Sequence, residues 1–169
     1  MPLQEYKQSR SFRKITFLVF IVYGLILVKL VLFKRAPSYY KQHFTVNYSK
    51  KMVQNNLKTA NYVPFATIML FAKSRLQTRD IVANILGNIV GFIPLGILVP
   101  ILFRRFNTPR KLIGLGFVLS LFFEIVQLLT VLGNFDVDDL MLNTFGASIG
   151  FFIFWLERTY AMRKDNLLL

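Results

Sequence analysis

The chain has 169 residues, 54% of them hydrophobic and 17% charged, with no cysteine, one histidine and a formal net charge of +13. These figures exclude a disulfide framework and a zinc site built from Cys and His. They leave His43, in the basic stretch 41–44, as the sole and poorly placed base for a serine triad. With a mean hydropathy of +0.49, the chain is a very apolar globule or a membrane protein, and too apolar for disorder. The basic residues gather between long apolar runs, which is how membrane proteins place charge at lipid head groups and which argues against a nucleic-acid partner.

Taken in chain order, the first run is Ile15–Phe33, interrupted only by Lys29 near its far end, where the side chain can snorkel. No small-residue cleavage site follows it, so it reads as a retained span rather than a signal peptide. Val63–Ala72 is too short to cross and reads as interfacial or re-entrant. Ile81–Phe103 carries no charge, Leu112–Leu132 carries only Glu124, and Leu140–Leu156 carries none and can extend to Tyr160. A helix needs about 20 apolar residues to cross the hydrocarbon core. The runs are continuous rather than alternating, so they predict helices. The expected fold is an all-α four-transmembrane-helix bundle: a basic tail (1–14), a membrane domain (15–160) with one external loop of about 47 residues (34–80), and a short tail (161–169).

Orientation follows from the short loops. The 104–111 loop carries Arg104, Arg105, Arg110 and Lys111, whereas the 133–139 loop carries only acids: Asp136, Asp138 and Asp139. This asymmetry places both termini in the cytoplasm.

Polar groups inside the spans are the candidate functional residues. Glu124 stands well inside the third span, with Ser120 and Gln127 on its face of the helix. An intramembrane carboxylate is a functional candidate by default, the alternative being a clasp in which a protonated Glu124 glues helices together. The second span has Asn84 and Asn88 on one face, then Pro94 flanked by Gly91 and Gly96. A proline there removes a backbone hydrogen bond and predicts a kink, whose freed carbonyls can line a polar cavity. In the fourth span Asp138 is the expected N-cap, and Asp139 and Asn143 share a face. The three acids are explained by capping more readily than by a divalent cation, so no metal and no cofactor is expected. Gly87–Gly91 and Gly146–Gly150 both have GxxxG spacing, which predicts that the second and fourth spans pack on each other through these faces.

Several of these residues form a recognisable series. Asn61-Tyr62-Val63-Pro64-Phe65 is followed by Asn88 with Phe92-Ile93-Pro94-Leu95-Gly96. Then come Leu119-Ser120 with Phe123-Glu124-Ile125-Val126-Gln127, and Phe135-Asp136-Val137-Asp138-Asp139 running into Asn143-Thr144-Phe145-Gly146 and Gly150. In this order and spacing they resemble the VanZ-like family, whose namesake confers teicoplanin resistance. The end of the first span, Leu30 to Lys34, is also similar, and the likeness covers residues 28–156. The resemblance implies a bacterial plasma-membrane protein and carries Asn88, Pro94, Glu124, Gln127, Asp136, Asp139 and Asn143 as motif positions. It assigns no catalytic residue. Many family members have Arg or Ser just before the acidic motif, where this chain has Asn134.

The expected function is therefore engagement of a membrane lipid or lipid-linked envelope precursor by a polar cluster of Asn88, Glu124, Gln127, Asp136, Asp139 and Asn143, altering glycopeptide susceptibility. Two rivals remain. One is an intramembrane enzyme acting on a lipid head group with Glu124 as acid/base. The other is a site-less surface-charge modifier, in which the basic 34–80 loop holds anionic lipids or wall polymers. A proton-coupled transporter is less well supported, because no inverted repeat is visible. The sequence leaves the oligomeric state open.

Overall fold

The computed structural model describes residues 10–33, 35–66, 69 and 78–167. Four of its helices are long and apolar enough to cross a membrane: α1 (Arg10–Leu32), α4 (Thr78–Leu102), α5 (Pro109–Thr130) and α6 (Val137–Leu167). Between the first two lie α2 (Pro37–Gln42), a π-helical turn (His43–Asn47) and α3 (Lys50–Thr59). Among the described residues there is no strand, only an isolated parallel bridge between Asn61 and Asp136. Half of the expected interfacial segment Val63–Ala72 lies outside the described residues.

Local chemistry explains the helices. Hydroxyls within the spans are turned back onto their own helices. Thr16 donates to the Phe12 carbonyl, Thr144 to Leu140 and Ser148 to Thr144, each within one turn. α5 opens with Thr108 as N-cap and Pro109 in its first turn, where the missing N–H costs nothing. It ends with Val131 in the left-handed region (φ 56°), and the Leu132 N–H returns to the Gln127 carbonyl at 3.2 Å.

Three ends differ from expectation. α6 begins at Val137, so Asp136 is the residue before the helix. Its Oδ1 accepts from the Asp138 N–H at 2.8 Å, making Asp136 the N-cap in place of Asp138. α6 also runs on to Leu167: 31 residues, about 46 Å against a hydrocarbon core of about 30 Å. Its last turns, including Arg163, are therefore helical where the 161–169 tail was expected. α1 likewise starts inside the expected tail, at Arg10.

α4 and α6 make the most extensive interface, α5 packs on α6, and α1 lies at the periphery. The α4–α6 seam is built from glycine. A Cβ at Gly96 would overlap the Ala147 carbonyl oxygen, one at Gly146 the Ile89 oxygen, and one at Gly150 the Ile93 oxygen. Only hydrogen fits at these three points, and the backbones meet directly. The expected pairing of two GxxxG faces is thus half corrected. Gly146 and Gly150 do face α4, but they meet Ile89, Ile93 and Gly96. The Gly87–Gly91 face is turned away, with nothing within 4 Å of a Cβ at Gly87 and only Leu27 Cδ1 at 3.8 Å from one at Gly91.

The helix α4 runs from Thr78 to Leu102 through both Pro94 and Pro100. Pro94 leaves the Val90 carbonyl without its donor from within the helix, and on the adjacent residue the Tyr23 hydroxyl of α1 donates to the Gly91 carbonyl at 2.9 Å.

The apolar core consists of Leu27, Phe92, Leu95, Val99, Leu112, Phe123, Ala147 and Phe151. It occupies the half of the bundle nearer the 104–111 loop. The other half, toward the 35–66 connection, is polar inside.

Candidate functional site

The polar half contains a cavity of about 230 Å³ lined by all four long helices. α1 contributes Leu27, Leu30 and Val31; α4 contributes Asn84, Gly87, Asn88, Gly91 and Phe92; α5 contributes Glu124 and Gln127; α6 contributes Asp139 and Asn143. Five of the six expected cluster residues therefore meet in one chamber. Asp136, the sixth, does not line it. It acts through its backbone, whose N–H donates to Glu124 Oε2 at 2.9 Å. Glu124 thereby ties the loop before α6 to α5. It lies six residues before the end of α5, about 9 Å down the helix and about 7 Å from its midpoint.

The chamber is not fully satisfied internally. Asn143 Nδ2 donates to Ser120 Oγ at 2.9 Å and Gln127 Nε2 to the Val31 carbonyl at 3.0 Å. Asn84 Nδ2 approaches Asp139 Oδ1 at 3.5 Å. Asn88 Nδ2 and Asn143 Oδ1, however, are buried with no hydrogen-bond partner among the described residues. Asn143 is 3% exposed and Glu124 2%. Buried polar atoms are paired in the great majority of cases, and leaving one unpaired costs about 1–3 kcal/mol. Two orphans in one chamber mark a place where something else completes the bonding.

A second layer, whose mutual contacts the sequence does not announce, holds the mouth in shape. Asn61 bridges to the loop before α6. Its N–H donates to the Phe135 carbonyl at 2.9 Å, its carbonyl accepts from Val137 N–H at 3.1 Å, and its Nδ2 donates to Asp136 Oδ1 at 2.8 Å. The Phe65 N–H donates to Asp138 Oδ1, and Asp138 is fully buried. The acids before α6 are thus engaged with backbone and amide donors. No group of three or more His, Cys, Asp or Glu that could hold a metal exists among the described residues.

Further out, the 35–66 connection caps the exposed carbonyls at the end of α5. His43 Nε2 donates to the Thr130 carbonyl at 2.8 Å, Tyr48 to Leu129 at 2.9 Å, and Asn56 Nδ2 to Leu128 at 3.0 Å and Gly133 at 2.8 Å. The last carbonyls of a helix have no partner within it. Here three residues of the connection supply them in sequence. His43 is a buried structural anchor, stacked on Tyr39 at 5.6 Å.

The profile of the family described as VanZ/LLP1 matches residues 20–158. Among curated proteins the chain is similar to "Protein VanZ" of Enterococcus faecium, 31% identical over 81 residues. The match covers 48% of this chain and 50% of that protein, so the chain spans about half of the curated relative it matches. No solved structure matches.

Proposed function

The chain belongs to the VanZ/LLP1 family, and from that membership together with the chamber we propose that it is a bacterial plasma-membrane protein that engages the head group of an envelope lipid or lipid-linked precursor, lowering susceptibility to teicoplanin-type glycopeptides. Both termini lie in the cytoplasm in this reading, so the chamber opens toward the outer face, where such precursors are displayed. The positive 104–111 loop and acidic 133–139 loop support that orientation.

The observation that carries the proposal is the pair of orphaned carboxamide atoms, Asn88 Nδ2 and Asn143 Oδ1, in a chamber lined by Glu124, Gln127 and Asp139. Polar groups at this depth are expensive to keep without partners. Size sets the class of partner. Sites for drug-sized ligands run about 300–1,000 Å³, and this chamber measures about 230 Å³. A glycopeptide, many times larger, does not fit, whereas a head group does. Protection would come from altered lipid display rather than from capture of the antibiotic.

The test is teicoplanin susceptibility of a deletion host carrying wild type, Asn88→Leu or empty vector, with membrane levels matched by immunoblot. Leu matches Asn in shape and removes an unpaired polar group, so the fold is expected to be kept. The proposal expects protection by wild type and its loss in Asn88→Leu. Equal protection by both would remove the chamber from the mechanism, and no protection by wild type would remove the antibiotic phenotype.

A further inference from the structure

The chamber contains a feature that the family likeness does not explain: an open glycine wall. Gly87 and Gly91 line it side by side, one turn apart on α4, and a Cβ at Gly87 would meet nothing within 4 Å. Helix propensity disfavours glycine in such a place by about 1 kcal/mol relative to alanine, yet no neighbouring backbone requires it. The missing side chain leaves a flat strip of bare helix exposed to the chamber, with Asn88 between the two glycines.

Resting on the head-group reading above, we propose that this chamber takes an uncharged, hydroxyl-bearing head group of the sugar or glycerol class, laid against the Gly87–Gly91 strip, and discriminates against a bare phosphate. The orphaned atoms select the chemistry. Asn88 Nδ2 needs an acceptor and Asn143 Oδ1 needs a donor. Hydroxyl groups supply both, whereas an ionised phosphate only accepts and would leave Asn143 Oδ1 unpaired. A site built to bond a hydroxyl strongly rejects the analogue that lacks it. The volume agrees. A cavity of about 230 Å³ has room for a small polyol unit. The apolar rim of Leu27, Leu30 and Val31 on α1 lies where a hydrocarbon tail leaves the chamber toward lipid.

The experiment measures the melting midpoint of the purified full chain in phosphatidylcholine nanodiscs. Three probes are added separately: monoglucosyl-diacylglycerol, phosphatidate with the same acyl chains, and soluble methyl glucoside. Wild type is compared with Gly87→Leu, which builds a side chain where a Cβ meets nothing within 4 Å, and with Asn88→Leu, which removes the unpaired donor at matching shape, as a second disabled chamber should Gly87→Leu fold poorly. The glucolipid is expected to raise the wild-type midpoint by several degrees, phosphatidate to leave it in place, and neither to move the blocked variants. Stabilisation by methyl glucoside equal to that by the glucolipid supports the hydroxyl chemistry and assigns a soluble source. A phosphatidate shift as large as the glucolipid's, equal glucolipid shifts in wild type and both blocked variants, or no shift with any probe would each overturn the proposal. A phosphatidate shift confined to wild type would retire the hydroxyl class and leave the head-group reading standing. That reading has its own readout in antibiotic susceptibility.

Discussion

Asn56 and Asn88 are both asparagines facing the interior, and they answer to opposite physics. Asn56 is 5% exposed and donates to the Leu128 and Gly133 carbonyls, closing the end of α5. Asn56→Ala is expected to lower stability by about 1–3 kcal/mol, because buried acceptors are left behind. A drop in the thermal midpoint of the detergent-solubilised protein checks it. Asn88 Nδ2 bonds nothing among the described residues, so Asn88→Leu is expected to leave that midpoint unchanged or raise it; a fall of the size seen for Asn56→Ala would show that Asn88 is structural. The difference in legibility is physical. Asn88, Glu124 and Asn143 stand out because each interrupts an apolar run. Asn56 and His43 sit in polar sequence, and their partners are backbone carbonyls 72 and 87 residues away, which no local pattern announces. Asn61 was visible only as part of a family motif, with no role attached until it was seen bridging to Asp136.

At the level of helices, four spans were readable from hydropathy because each is a continuous apolar run. Their ends were less so. The N-cap moved from Asp138 to Asp136 because Asp136 Oδ1 meets the Asp138 N–H, and α6 continues into charged sequence that hydropathy alone marks as a tail. GxxxG spacing says that a residue is small, not what faces it. Rotation of α4 puts Ile89, Ile93 and Gly96 against α6 and turns Gly87 and Gly91 to the chamber. The two glycine sets should therefore respond oppositely to a methyl group. Gly146→Ala and Gly150→Ala force the α4 and α6 backbones apart and are expected to cost about 1–3 kcal/mol each. Gly87→Ala is expected to be neutral or to stabilise by up to about 1 kcal/mol through helix propensity. Thermal midpoints of the three variants, compared side by side, decide this; a large loss for Gly87→Ala would mean that its face is packed after all.

Across the whole molecule the bundle is divided along its length. One half is closed by Phe92, Leu95, Val99, Leu112 and Phe151. The other holds the polar chamber beneath a connection pinned to α5 and α6 by His43, Tyr48, Asn56 and Asn61. Because the chain contains no cysteine, single-cysteine labelling reports its orientation cleanly. Lys51→Cys is expected to react with an impermeant maleimide in intact cells, and Arg105→Cys only after permeabilisation; the reverse pattern would put the chamber mouth in the cytoplasm. The central claim, that the chamber is the working part of the protein, is tested most directly by Gly87→Leu. Gly87 lines the chamber, a Cβ there meets nothing within 4 Å, and Gly87 itself contributes no side-chain hydrogen bond to lose. Teicoplanin susceptibility should be measured in a deletion host at matched membrane levels of wild type and Gly87→Leu. The account predicts that wild type protects and Gly87→Leu behaves as empty vector; full protection by Gly87→Leu at the same level would contradict it.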